Sequence, residues 1–166
     1  QVAMVRRVLD TNVTAVLLAC RAALPLLRSG EHPVVVNVSS VVGRRGIPGQ
    51  AVYAASKAAV CSIGEALRLE WAAEGIAVCT LNPALTATGF FAAQANPAGL
   101  PPPDLAGAEE AVDVARHVLA LDRRPSPERS LRWKWRMLGV LSVLAPRLAD
   151  RVLARQLGPE WSPPSR

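Results

Sequence analysis

Tyr53 and Lys57 stand four residues apart in the run Tyr53-Ala54-Ala55-Ser56-Lys57, and on a helix that spacing puts both on one face. A free phenol, with a pKa near about 10, is a poor acid–base catalyst at neutral pH. A lysine cation beside it favours the phenolate and brings proton transfer toward the working range. Ser40, thirteen residues before the tyrosine, offers a hydroxyl that can hydrogen-bond a substrate oxygen and hold it against the phenol. Such a set suits proton transfer to or from an alcohol or carbonyl oxygen while a hydride moves elsewhere. By itself Tyr-x-x-x-Lys carries little weight: chance supplies it in about one chain in three of this length, and the pair then sits on a solvated face.

The surrounding elements are what could bring these groups together. Val34-Val35-Val36 is a continuous apolar run of the kind that fills a buried parallel strand. It empties into Asn37, Ser39 and Ser40, at the strand end where open α/β sheets bind ligands. A loop from Gly43 to Gly49 leads into a small-residue helix expected over 50–73. Upstream, Gln1–Ser29 reads as one helix, with Val5, Val8, Leu9, Val13, Val16 and Leu17 in helical recurrence; Pro25 should loosen its last turn and Gly30 should cap it. Ile76–Leu81 reads as a second buried strand, after which Asn82-Pro83 turns the chain. Gly89–Asp104, with Phe90, Phe91 and three consecutive prolines, is long enough without regular structure to be a functional or disordered loop. Glu109–Leu121 reads as an amphipathic helix. Ser130–Arg136 alternates Leu131, Trp133 and Trp135 with Arg132, Lys134 and Arg136, the pattern of a charged edge strand. Met137–Ala145 is apolar, and Pro146 opens a helix with Arg147, Arg151 and Arg155 on one stripe; 161–166 reads as a frayed tail.

The pieces N-V-S-S-x-x-G (from Asn37), Y-A-A-S-K (from Tyr53), D-T-N-V (from Asp10) and P-A-L-T-A-T (Pro83–Thr88), in this order and spacing, resemble the short-chain dehydrogenase/reductases. The resemblance implies Asn12, Ser40, Tyr53 and Lys57 as catalytic residues. It implies NAD or NADP as cofactor, held by Tyr53, Lys57, Pro83, Thr86 and Thr88, and a substrate held by Ser40 and Tyr53. Asn12 would help to hold a water that links the lysine to solvent. It further implies a homo-oligomer paired through the two long helices, and a substrate lid over 89–104. Two departures stand out: Ala84 replaces the usual Gly, and Thr86 an apolar residue. The family's Gly-rich turn for the pyrophosphate, its ribose-reading residue and its N-N-A-G strand end are not found in the 166 residues, so the chain is expected to correspond to about the C-terminal two thirds of such an enzyme.

Composition narrows the classes. Hydrophobic residues make up 51% and aromatics 4%, pointing to an Ala/Val/Leu core of helices layered on a parallel sheet. No apolar run reads as a membrane span, and no secretory signal is seen at the start. Cys20, Cys61 and Cys79 lie in apolar segments without metal spacing, as reduced core residues of a cytoplasmic protein would. Residues 1–115 carry eight basic and nine acidic side chains, so the net charge of +6 belongs to the last third. With 17 of 19 basic residues arginine and no nucleic-acid motif, the basicity is read as composition rather than as a nucleic-acid site. A membrane contact of the basic, Trp-bearing C-terminal segment is weighed against an interface or core-covering helix, with the latter preferred. Arg44 and Arg45, in the loop over the site, could meet an anionic substrate or do nothing specific.

The sequence thus predicts an α/β fold, the later part of a doubly wound (Rossmann-like) sheet of roughly three parallel strands and four helices. Residues 1–125 would form the catalytic part, and 126–166 the last edge strand, an apolar/basic helix and a tail. The expected activity is hydride transfer between NAD(P) and a secondary alcohol or ketone. An inactive fragment or pseudoenzyme acting only in subunit association is the alternative.

Overall fold

The computed structural model describes residues 1–93, 104–158 and 161. Helix α1 (Val2–Leu9) and helix α2 (Ala15–Ser29) are joined without a break by a wide π-type turn, Asp10–Thr14. Strand β1 (Val34–Val38) follows, then a short 3₁₀ turn (Val41–Gly43) and the long helix α3 (Ala51–Glu70). Gly75 closes the next turn in the left-handed region at φ 71°, where a side chain would be strained. Strand β2 (Ala77–Asn82), the two-residue strand β3 (Thr86–Ala87), helix α4 (Phe90–Ala93) and strand β4 (Glu109–Glu110) come next. The chain ends with helix α5 (Ala111–Arg123), strand β5 (Glu128–Ser130), helix α6 (Trp133–Leu144) and helix α7 (Pro146–Leu157).

The main sheet is parallel, in the order β1-β2-β5, with Val34 opposite Ala77 and Val38 opposite Leu81. Alternation along the strands serves two helical layers, which is why both strands are nearly continuous apolar runs. Val35 and Val78 face α2 and the end of α3, packing with Cys20, Trp71 and Ile76. Val34, Val36, Cys79 and Leu81 face α5, packing with Leu121, Val114 and Val118. Gly64 lets α3 ride close to the sheet: a β-carbon there would lie 2.4 Å from Thr80 Oγ1. All three cysteines are buried and free. The other edge of β1 has no partner among the described residues, and Val38 is 45% exposed.

Two expectations need correction. The alternating segment after Ser130 is not a strand: β5 ends there, and Trp133–Leu144 is helical. Period two over five residues is too short to outweigh the helical recurrence of Trp135, Leu138 and Leu141, which pack against Ile47 and Leu153. Gly30 does cap α2, in an extended conformation (φ −84°, ψ 154°) with its N–H bonding Leu27 O (3.2 Å), and α2 runs through Pro25 to Ser29. The helix Val2–Ser29 is also, by length and composition alone, apolar enough to cross a membrane, with a mean hydropathy of 1.3 over its best window. Isolated polar residues within the run had masked this.

Candidate active site

Ser40 lies just past the carboxyl end of β1, and Asn12, Tyr53, Lys57, Pro83, Thr86 and Thr88 gather around the same cleft. The β1–β2 pairing continues past the strand, with Ser39 N–H donating to Leu81 O (2.8 Å) and Val41 N–H to Pro83 O (2.9 Å). These two bonds hold Ser40 between them. Its backbone is extended, its hydroxyl donates to Pro83 O (3.4 Å), and it accepts from Val42 N–H (3.4 Å).

Helix α3 is locked onto this loop. Ser39 Oγ donates to the carbonyl of Lys57 (2.7 Å) and accepts from Cys61 Sγ (3.2 Å). Gly43 lies so near the same turn that a β-carbon would meet the Lys57 carbonyl carbon and oxygen and Ser39 Oγ, each at 2.8 Å. The π-type turn of the first helix brings Asn12 to the start of α3. There Asn12 Nδ2 donates to Ser56 Oγ (3.0 Å), and Ser56, fully buried, donates to Tyr53 O (2.7 Å). A π-type turn of this kind recurs at functional positions in helices; here it puts a side-chain amide beside the Tyr–Lys helix.

Tyr53 is half-buried, its ring 5.3 Å from that of Phe90, which meets Phe91 edge-on. Burial pushes the phenol above its ordinary pKa of 10.0, and a hydrogen bond with Ser40 pulls it partly back. Lys57 is pushed down by burial, with a weaker opposing pull from Cys61. Its ammonium donates to Val38 O (3.1 Å) and lies 5.8 Å from the Tyr53 ring centroid. The Ser40 contact opposes the effect of burial on the phenol, and the Lys57 ammonium stands on the same side of α3 as the ring.

Tyr53 is the chain's single tyrosine, so an ultraviolet phenolate titration reads it alone. The midpoint is expected above 10.0, and higher still in Ser40→Ala. The proton is held more tightly in the folded chain, so this group's contribution to stability is complete below pH 10.0 and is lost as the pH rises through the folded value. A midpoint below 10.0 would contradict the burial described.

Asn12, Ser40, Tyr53, Lys57, Pro83, Thr86 and Thr88 line one cleft of about 1010 Å³, with Phe90, Phe91, Leu131, Trp133 and Trp135 among its apolar walls. Thr86 Oγ1 turns back to Ala84 O (3.3 Å), and Thr88 Oγ1 accepts from Phe90 N–H (3.3 Å) at the start of α4. Residues 94–103 of the expected lid lie outside the described residues. Arg44 and Arg45 do not address the cleft. Arg44 bridges Glu65 (2.7 Å) and Glu128 (2.6 Å), while Arg45 pairs with Asp150.

Sequence reasoning missed Glu109. Its carboxylate accepts from Ala84 N–H (3.3 Å) and from Arg132 Nε (3.2 Å), and Arg132 also donates to Gly107 O (2.7 Å). It thus ties the Pro83–Thr88 loop, through the Ala84 backbone, to both flanking segments. Ser56 was missed too, although it lies inside the Tyr–Lys motif; a buried serine one residue before the lysine was the signal.

The short chain dehydrogenase family model matches residues 1–98. An uncharacterized oxidoreductase of Mycobacterium tuberculosis is 34% identical over 145 residues, which is 86% of this chain and 54% of that protein. A short-chain dehydrogenase from Sphingobium yanoikuyae, solved in complex with NADPH, is 26% identical with a TM-score of 0.65, covering 88% of this chain and 56% of that one. A short chain dehydrogenase from Burkholderia cenocepacia, solved with NADP, shares the fold with a TM-score of 0.73 at 23% identity, covering 90% and 58%. The chain spans about half the length of the curated relatives it matches. A parallel sheet wrapped by helices on both faces, carrying this cleft at its carboxyl end and matching the family model over most of its first hundred residues, places the chain in the short-chain dehydrogenase family.

Proposed function

We propose that the chain carries the acid–base site of an NAD(P)-dependent oxidoreductase that interconverts a secondary alcohol and a ketone. The observation that carries this reading is the meeting of Ser40, Tyr53, Lys57 and Asn12 around one cleft, from three separate elements. In the reductive direction the Tyr53 hydroxyl gives its proton to the carbonyl oxygen, and the Ser40 hydroxyl holds that oxygen by a second hydrogen bond. Lys57 stabilises the phenolate as it forms, its charge acting across a partly desolvated gap. Asn12 keeps the first turns of α3 in register and borders the path by which a proton returns from solvent.

The donor set fits the nicotinamide end of a dinucleotide. Lys57 and Tyr53 can hold ribose hydroxyls, and Thr86 and Thr88 offer hydroxyls on the loop opposite, beside Pro83. When bound, the cofactor supplies or accepts the hydride; NAD and NADP both suit the residues described. The solved Sphingobium relative, which holds NADPH, supports this. Self-association through α1–α2 and α3 belongs to the same reading, since Leu17, Leu18, Leu26 and Leu69 are exposed on those helices.

The test is cofactor-dependent turnover of a ketone panel by the full-length protein. Turnover with one of the two cofactors is expected, together with a loss of activity and at least about tenfold weaker cofactor binding in Lys57→Ala. Absence of turnover with either cofactor, or unaltered binding in that variant, would overturn the assignment.

A further inference from the structure

Helix α6 buries one side and leaves the other bare. Trp135 and Leu138 pack inward, whereas Trp133 (70% exposed), Met137 (55%), Val140 (47%) and Leu144 (77%) recur at helical spacing along the outer face. Val143 (82%) lies beside them, and Leu148 (48%) carries the apolar surface onto α7. Six large apolar side chains on two successive helices form more than the scattered exposure usual for a monomer. Lys134 and Arg136 flank the stripe on α6, and Arg147, Arg151 and Arg155 stand exposed on α7. The two helices hold a single acidic residue, Asp150, and Arg45 neutralises it.

We propose that this face docks on an anionic lipid surface. An apolar stripe bordered by arginine and lysine, with a tryptophan at its end, is the chemistry of a helix lying in a membrane interface. Three observations select this occupant. A second copy meeting the same face about a twofold axis would bring two sets of these cations together, which opposes self-association here. The open edge of β1, where further strands could add, lies at the other side of the sheet from β5, the strand that leads into α6. Trp133 also lines the catalytic cleft, so the stripe begins at its mouth and a lipid-dissolved substrate would enter without crossing water.

Co-sedimentation of the full-length protein with phosphatidylcholine/phosphatidylglycerol vesicles tests this. Binding is expected to the mixed vesicles, to be weaker with phosphatidylcholine alone, and to fall as salt rises. Val143→Asp with Leu144→Asp should lower binding at least about tenfold without altering turnover of a water-soluble ketone. Brominated phosphatidylcholine in the mixed vesicles should quench part of the wild-type tryptophan fluorescence, a readout that needs no variant. No sedimentation with mixed vesicles, equal binding by a folded double variant, or absence of quenching would each overturn the proposal. So would a variant that changes only the oligomer size, because the face would then be an interface between copies.

Discussion

Phenylalanine at position 53 is expected to lower turnover of the full-length protein by about a thousandfold, within the 10²–10⁴ range that a positioned acid–base group contributes. The ring keeps its contact with Phe90, so the fold should hold. The loss to stability is limited to the hydroxyl's contact with Ser40, about 1 kcal/mol, which for a chain of this size is a melting shift of about 2–4 °C. KM should change little, because the lost interaction matters mainly in the transition state. A variant that retained a few tenths of the wild-type rate would show that another group moves the proton.

Gly43→Ala should be nearly as damaging by a different route. The added β-carbon meets backbone atoms of Lys57 and the hydroxyl of Ser39 at 2.8 Å, contacts that cannot be relieved by rotating a flexible side chain. Overpacking of this kind costs about 1–3 kcal/mol. It also moves the two segments that carry Ser40 and Lys57 apart, so activity should fall more than stability. Gly46→Ala is the control: its β-carbon would find only Ala54, at 3.9 Å, and both rate and melting temperature should stay near wild type. Equal behaviour of the two variants would mean that the loop does not press on α3 as described.

The site was more legible in the sequence than the packing around it. Ser40, Tyr53 and Lys57 belong to one strand–loop–helix unit, so short-range spacing already placed them; Asn12 needed the resemblance, because its approach depends on a wide turn with no distinct sequence mark. Glu109 gave no local signal at all. Its role arises because β4 pairs in parallel with β3, with Glu109 opposite Thr86, a contact between segments more than twenty residues apart. Likewise Arg44, read as a loop cation over the site, is claimed by two glutamates from distant elements, α3 and β5. The strands β1 and β2 were legible because burial on both faces demands unbroken apolar runs. The segment after Ser130 was not, because tryptophans and arginines alternating over a few residues satisfy a strand and the first turns of a helix equally well. That difference matters for function, since an edge strand would have hidden the row of apolar side chains that α6 instead displays.

The most direct test of hydride transfer through this cleft uses a reduced nicotinamide cofactor with both hydrogens of its transferring carbon replaced by deuterium. Incubated with a ketone substrate and the full-length protein, it should deliver one deuterium to the carbinol carbon of the product, while the hydroxyl proton comes from solvent by way of Tyr53. Oxidation of the cofactor with no deuterium in the alcohol, or the same transfer at the wild-type rate in Tyr53→Phe, would contradict the assignment of this site.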